Sequence, residues 1–161
     1  MDAAQRRDIA RDLQDKLIAY WHDVDFNRGL NAAGYYTEDG VFESGGVAPY
    51  TGRAEIEEFY AFRRDRGPRV VLHAVVNFHC TVESGAVAHT AWVCMLYAHD
   101  GEAPQATAPP INVSLVKDIN VLVDGEWLVR RRTWNAMFRG GAPATVLPRD
   151  EMEKRLAAKQ P

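Results

Sequence analysis

The sequence is poor in cysteine, nearly balanced in charge and free of long apolar runs. Its two cysteines, Cys80 and Cys94, lack the C-x-x-C spacing of a redox or zinc pair, which argues against a disulfide framework. If the strands that carry them form a hairpin about Ser84-Gly85, Cys94 lies opposite Val75 rather than Cys80, so both are expected as buried free thiols. Lys and Arg number 19 against 22 Asp and Glu, for a net charge of −3. That balance supplies no basic field for a phosphate backbone, and no nucleic-acid partner is expected. The basic cluster "FRRDRGPR" is broken by Asp65 and reads as the solvated end of a helix. No apolar run approaches the roughly 20 residues that cross a bilayer. The N-terminal "MDAAQRRDIARDL" also lacks the apolar stretch of a secretory leader, so a cytoplasmic protein without membrane contact is expected. No H-x-E or H-x-x-x-H pattern occurs among the five histidines. His73 and His79, read as sharing one strand face, stand roughly 20 Å apart along an extended strand, too far for one ion. No Gly-rich phosphate loop follows a buried strand, so neither a metal nor a nucleotide cofactor is expected.

What is present is the composition of one ordinary domain, 47% hydrophobic and 25% charged over 161 residues. Ile9, Leu13, Leu17, Tyr20 and Trp21 fall at helical spacing and predict a first helix over about Ala4 to His22. A shorter helical piece follows over Phe26 to Tyr36, then a short strand at Val41 and Phe42. "TGRAEIEEFYAFRRDRG" predicts a third helix that starts near a Thr51 cap, places Ile56, Phe59, Tyr60 and Arg63 on one face and stops at Gly67-Pro68. From Arg69 the period changes to β-branched and aromatic alternation. Four long antiparallel strands are expected, divided by Ser84-Gly85, by the Pro-rich "DGEAPQATAPP" and by the hairpin signal Asp124-Gly125. The fold class is therefore α+β, a curved antiparallel sheet wrapped around three N-terminal helices, and its concave face should hold a pocket. That domain spans 1–139. Residues 140–161 read as a Gly/Pro linker and a short charged helix, a tail acting as lid or dimer arm.

"YYTEDGVFES" followed by "YTGRAEIEEFY", and the terminal "VDGEWLVRRR" hairpin, together resemble the nuclear transport factor 2-like, SnoaL-like superfamily over about residues 5–138. Within it the chain is most similar to the branch of scytalone dehydratase, bile acid 7α-dehydratase and lindane dehydrochlorinase. The resemblance implies the cystatin-like cone and a cofactor-free lyase that pairs an Asp after the first helix with a His early on the first long strand. Those positions match Asp25, in "VDFNRG", and His73, in "VVLHAVVNF". The resemblance also implies site roles for Tyr20 and Arg132, and a homo-oligomer, dimer or trimer. The dehydrochlorinase has Lys where this chain has Tyr20. Asp118 resembles the protonated Asp of steroid isomerases, but their base is replaced by Ser44.

Each residue also has a plainer role open to it. His73, between Val71 and Val75, needs a hydrogen-bond partner, either Asp25 or a backbone carbonyl of the core. Asp25 could equally cap a helix beginning at Phe26. Tyr20 either donates its phenol to a substrate or packs as the last apolar position of its stripe. Arg132 is either an anchor for an anionic leaving group or part of a solvated "RRR" run. Asp118 lines a pocket or a dimer surface. Trp21, Phe42, Tyr97 and Trp134 are the expected apolar walls. The function expected is a dehydratase-like elimination on a small, mostly apolar cyclic substrate, with His73 as base, Asp25 orienting it, and Tyr20 and Arg132 stabilising the departing group. The alternatives are a binding protein without turnover and a scaffold subunit like the small subunit of an aromatic-ring dioxygenase.

Overall fold

Leu13, Leu17, Tyr20, Trp21 and Val24 recur at three- and four-residue spacing and are all buried, giving helix α1 (Ala3–Phe26) one continuous apolar face. The structure is a computed structural model and describes residues 1–140 and 145–159. A capping box starts α1: Asp2 accepts from the Gln5 backbone N–H, and the Gln5 side chain accepts from the Asp2 N–H, both at 2.9 Å. The helix runs to Phe26 rather than stopping at His22, and Asp23 ends it. The Asp23 carbonyl accepts from the N–H groups of Asn27 and Gly29. Its carboxylate takes the Asn27 amide at 2.7 Å, and both the Asn31 amide and backbone N–H at 2.8 and 3.0 Å. The helical piece expected over Phe26 to Tyr36 is thus a turn followed by a single 3-10 turn, Ala32–Tyr35. Asp25 lies in the last turn of α1 and caps nothing, because no helix begins at Phe26.

Strands β1 (Tyr36–Glu43) and β2 (Tyr50–Thr51) lead into α2 (Arg53–Asp65). Thr51 lies in β2 and does not cap α2. Gly52, at φ 83°, turns the chain into the helix instead. The four long strands follow as expected: β3 (Arg69–Val82), β4 (Val87–Asp100), β5 (Asn112–Val123) and β6 (Glu126–Arg139). The sheet order is β2-β1-β6-β5-β4-β3, and β1 runs parallel to β6, so the sheet is mixed rather than wholly antiparallel. No tight turn joins β1 to β6, so local turn chemistry carried no signal for their relative direction.

Register decides which side chains enter the cone. Val75 pairs with Cys94 and Cys80 with Thr90, and both thiols are free, Cys94 buried and Cys80 half-buried. Burial pushes the Cys94 thiol up to about 12. A bulge between Val76 and His79, with Asn77 at φ 55°, shifts the alternation by one residue. His73 therefore points in while His79 is exposed, so the two do not share a face. Across the sheet, Trp92, Val116 and Trp134 form one row, and Thr90, Asp118 and Arg132 form the next.

Beyond β6, Leu147 and Met152 are buried, and helix α3 (Arg149–Ala157) packs on α2. The Tyr50 hydroxyl accepts from the Leu147 N–H at 2.9 Å, while Arg149 pairs with Glu55 at 2.7 Å and Arg155 with Glu58 and Asp65. The Gly/Pro linker expected after residue 139 lies partly outside the described residues. No helix among the described residues is long and apolar enough to cross a membrane.

Candidate functional site

A cavity of about 510 Å³ opens between α1, α2 and the concave face of the sheet, within the size range of small-molecule sites. Trp21, Phe42, Phe59 and Trp134 form apolar walls. Tyr97 does not, because the register brings Leu96 and Ala98 into the cavity and turns Tyr97 to the opposite face of β4. Of the four expected wall residues, Trp21, Phe42 and Trp134 line this cavity and Tyr97 does not.

Asp25 and His73 meet at one end. β3 is an edge strand, so the outward N–H of His73 has no neighbouring strand to bond. The last turn of α1 covers that edge, and Asp25 accepts the His73 N–H through Oδ2 at 2.8 Å and faces His73 Nδ1 through Oδ1 at 2.5 Å. One carboxylate thus fixes both the backbone and the ring. Trp21 stacks on the imidazole, with centroids 4.0 Å apart and planes 21° from parallel. His73 is 8% exposed, lines the cavity, and its Nε2 bonds no other described residue. Burial pushes the imidazole below its ordinary 6.5, opposed in part by the Asp25 carboxylate. Near pH 7 the ring is therefore neutral. With Asp25 accepting from Nδ1–H, the lone pair sits on Nε2, the nitrogen left for the cavity.

The other expected residues stand one layer deeper. Arg132 points inward, but it forks onto Asp118, Nε to Oδ1 and Nη2 to Oδ2, both at 2.8 Å. The side chains are 2% and 3% exposed. The Tyr20 ring lies over the guanidinium at 4.4 Å and the Trp92 ring at 5.3 Å. Arg132 is thus neither part of a solvated run nor a lining residue of the main cavity. Asp118 likewise lines neither that cavity nor an outer surface, and both border only a crevice of about 20 Å³. Tyr20 is buried there too, its hydroxyl meeting those of Tyr60 and Tyr36.

The residues that sequence reasoning missed are on α2. Tyr60 stands between Tyr20 and the cavity and lines it, and burial raises its phenol well above the ordinary value, so it remains a donor. Arg63, one turn on, lines it as well. Their helical spacing was legible, but nothing local marked that face as a pocket wall. Gly29 makes room for Tyr60: at φ 68°, a Cβ there would come within 2.6 Å of Tyr60 Cδ1. Gly29→Ala is expected to cost about 1–2 kcal/mol in urea denaturation, from the left-handed backbone alone, and to displace Tyr60. A stability equal to wild type would show that the turn has another way to relax.

Among the described residues no group of three His, Cys, Asp or Glu is placed to hold a metal ion. A family model described as a SnoaL-like domain matches residues 5–133. Comparison with curated proteins found no match. Among solved structures, a candidate scytalone dehydratase from Novosphingobium aromaticivorans is similar over 89% of this chain and 94% of its own, at 17% identity and a TM-score of 0.75. A candidate aromatic-ring hydroxylase from the same organism is 24% identical over 80% of this chain and 89% of its own, with a TM-score of 0.65. A protein from Catenulispora acidiphila in complex with S-DNPA is 18% identical over 95% and 99%, with a TM-score of 0.68. At these identities the likeness is one of fold.

Proposed function

This chain belongs to the SnoaL-like domain family, and from that premise we propose that it is a cofactor-independent lyase removing water from a cyclic hydroxy-carbonyl compound. The observation that carries this is the 2.5 Å contact between His73 Nδ1 and Asp25, with His73 facing a cavity that also has Trp21, Phe42, Phe59, Tyr60 and Trp134 in its walls. His73 Nε2 takes the proton from the carbon next to the substrate carbonyl, and the released electron pair forms the carbon–carbon double bond as the β-hydroxyl leaves. The imidazolium, held by Asp25, then passes that proton to the departing oxygen, so water leaves and His73 is neutral again. Tyr60 donates to the substrate oxygen that gathers charge, with Tyr20 behind it, while the aromatic walls exclude water and strengthen both interactions. Tyr20 thus contributes through Tyr60, and Arg132 holds the layer beneath them. A separation beyond hydrogen-bond reach would have favoured a binding protein without turnover, and the 2.5 Å contact favours the lyase. The likeness to a candidate scytalone dehydratase and to a protein bound to a small molecule supports the same reading. Exposed Leu72 and Val76 on edge strand β3 support a homo-oligomer, dimer or trimer.

The test is a panel of cyclic β-hydroxy ketones and β-hydroxy carboxylates, followed by the rise in ultraviolet absorbance as the new double bond conjugates. Because the imidazole's pKa is lowered, the base form persists below the ordinary histidine range. Here kcat/KM should be flat above about pH 7 and fall only as the pH drops below roughly 6.5. A rate that climbs on acidification would exclude a neutral His73 base.

A further inference from the structure

The cavity lining contains Arg63, Arg69 and Arg139 and no Asp or Glu. Arg69 is engaged by Asp100. Elsewhere on α2 the arginines are also paired, Arg53 with Glu38 and Arg64 with Glu57. Arg63 differs: no carboxylate among the described residues lies within salt-bridge distance of it, and although the same holds for Arg139, that residue is exposed whereas Arg63 is half-buried. Its guanidinium instead rests over the Phe59 and Tyr60 rings, 5.7 and 5.6 Å from their centroids. A cavity wall that carries cations and no carboxylate favours a ligand that brings negative charge.

We propose that the substrate is an anionic cyclic compound, a ring system carrying a carboxylate that pairs with Arg63 on the α2 wall. Its ring lies among Trp21, Phe42, Phe59 and Trp134, and the carbon that loses its proton is at the His73 end. The choice of reacting end rests on the lyase reading; the charge of the ligand does not. A bidentate Arg–carboxylate pair both adds affinity and orients the ring.

Isothermal titration calorimetry with 2-naphthoate and its neutral analogue 2-naphthalenemethanol tests this without turnover. Wild type should bind the naphthoate at least about tenfold more tightly than the alcohol, and Arg63→Gln should weaken naphthoate by about 10- to 100-fold while leaving the alcohol unchanged. Equal affinities for the two probes in wild type, or no detectable naphthoate binding, would overturn the proposal whether or not the variant folds. His73→Ala separates the two claims. Naphthoate binding retained by an inactive His73→Ala upholds both. If His73→Ala is as active as wild type but naphthoate still binds through Arg63, the anionic ligand stands and the lyase mechanism falls. Turnover of a neutral hydroxy ketone that depends on His73, with naphthoate ignored, sinks the anionic substrate alone.

Discussion

Asp25→Asn should lower kcat by about 10³- to 10⁴-fold while leaving the melting temperature within a few degrees of wild type. The reason is the tautomer. The His73 N–H requires an acceptor, so the Asn carbonyl oxygen takes the place of Oδ2 and its NH₂ faces His73 Nδ1. Nδ1 must then accept, the ring proton moves to Nε2, and no lone pair faces the cavity. The side chain keeps its size and both of its hydrogen bonds, which is why stability changes little. A substrate-free check is the ¹⁵N spectrum of the imidazole, in which Nε2 should be unprotonated in wild type and protonated in the variant. His73→Ala removes the base outright and should lose at least as much activity. An Asp25→Asn protein that keeps more than a tenth of the wild-type rate would show that the dyad does not carry the chemistry.

The largest stability effect is expected one layer below. Arg132→Met leaves the Asp118 carboxylate buried with only the Trp92 indole N–H, at 3.4 Å, to meet it. Breaking a buried pair in this way costs about 3–5 kcal/mol. The double variant Arg132→Met, Asp118→Leu removes both charges at similar volume and should recover most of that loss. Urea denaturation followed by tryptophan fluorescence measures all three proteins. If Arg132→Met is as stable as wild type yet loses naphthoate binding, Arg132 belongs to the ligand site and not to the scaffold.

The elements themselves were largely legible, because each rests on short-range pattern. The apolar stripe of α1, the alternation of the four long strands and the Asp124-Gly125 turn predicted what the structure contains, down to Val75 opposite Cys94. The end of α1 was not, since Asp23 terminates it through Asn31, beyond a local window. Asp25 and His73 were found by resemblance alone. Forty-eight positions separate them, and no periodicity connects a helix end to an edge strand.

What pattern could not decide is which face of each strand is inside. Alternation has two solutions, and only the helices packed on one side choose between them. That choice put Tyr97 outside and Arg132 inside. The bulge at Asn77 then reversed the choice within a single strand, exposing His79 while His73 stayed buried. Pairing is likewise non-local: Arg132 sits in a run of three arginines, and its partner Asp118 comes from the neighbouring strand. Composition and periodicity are properties of a few consecutive residues. A pocket exists only where distant segments converge, so Tyr60 and Arg63 became visible as wall residues only once α2 was seen lying across the open face of the sheet.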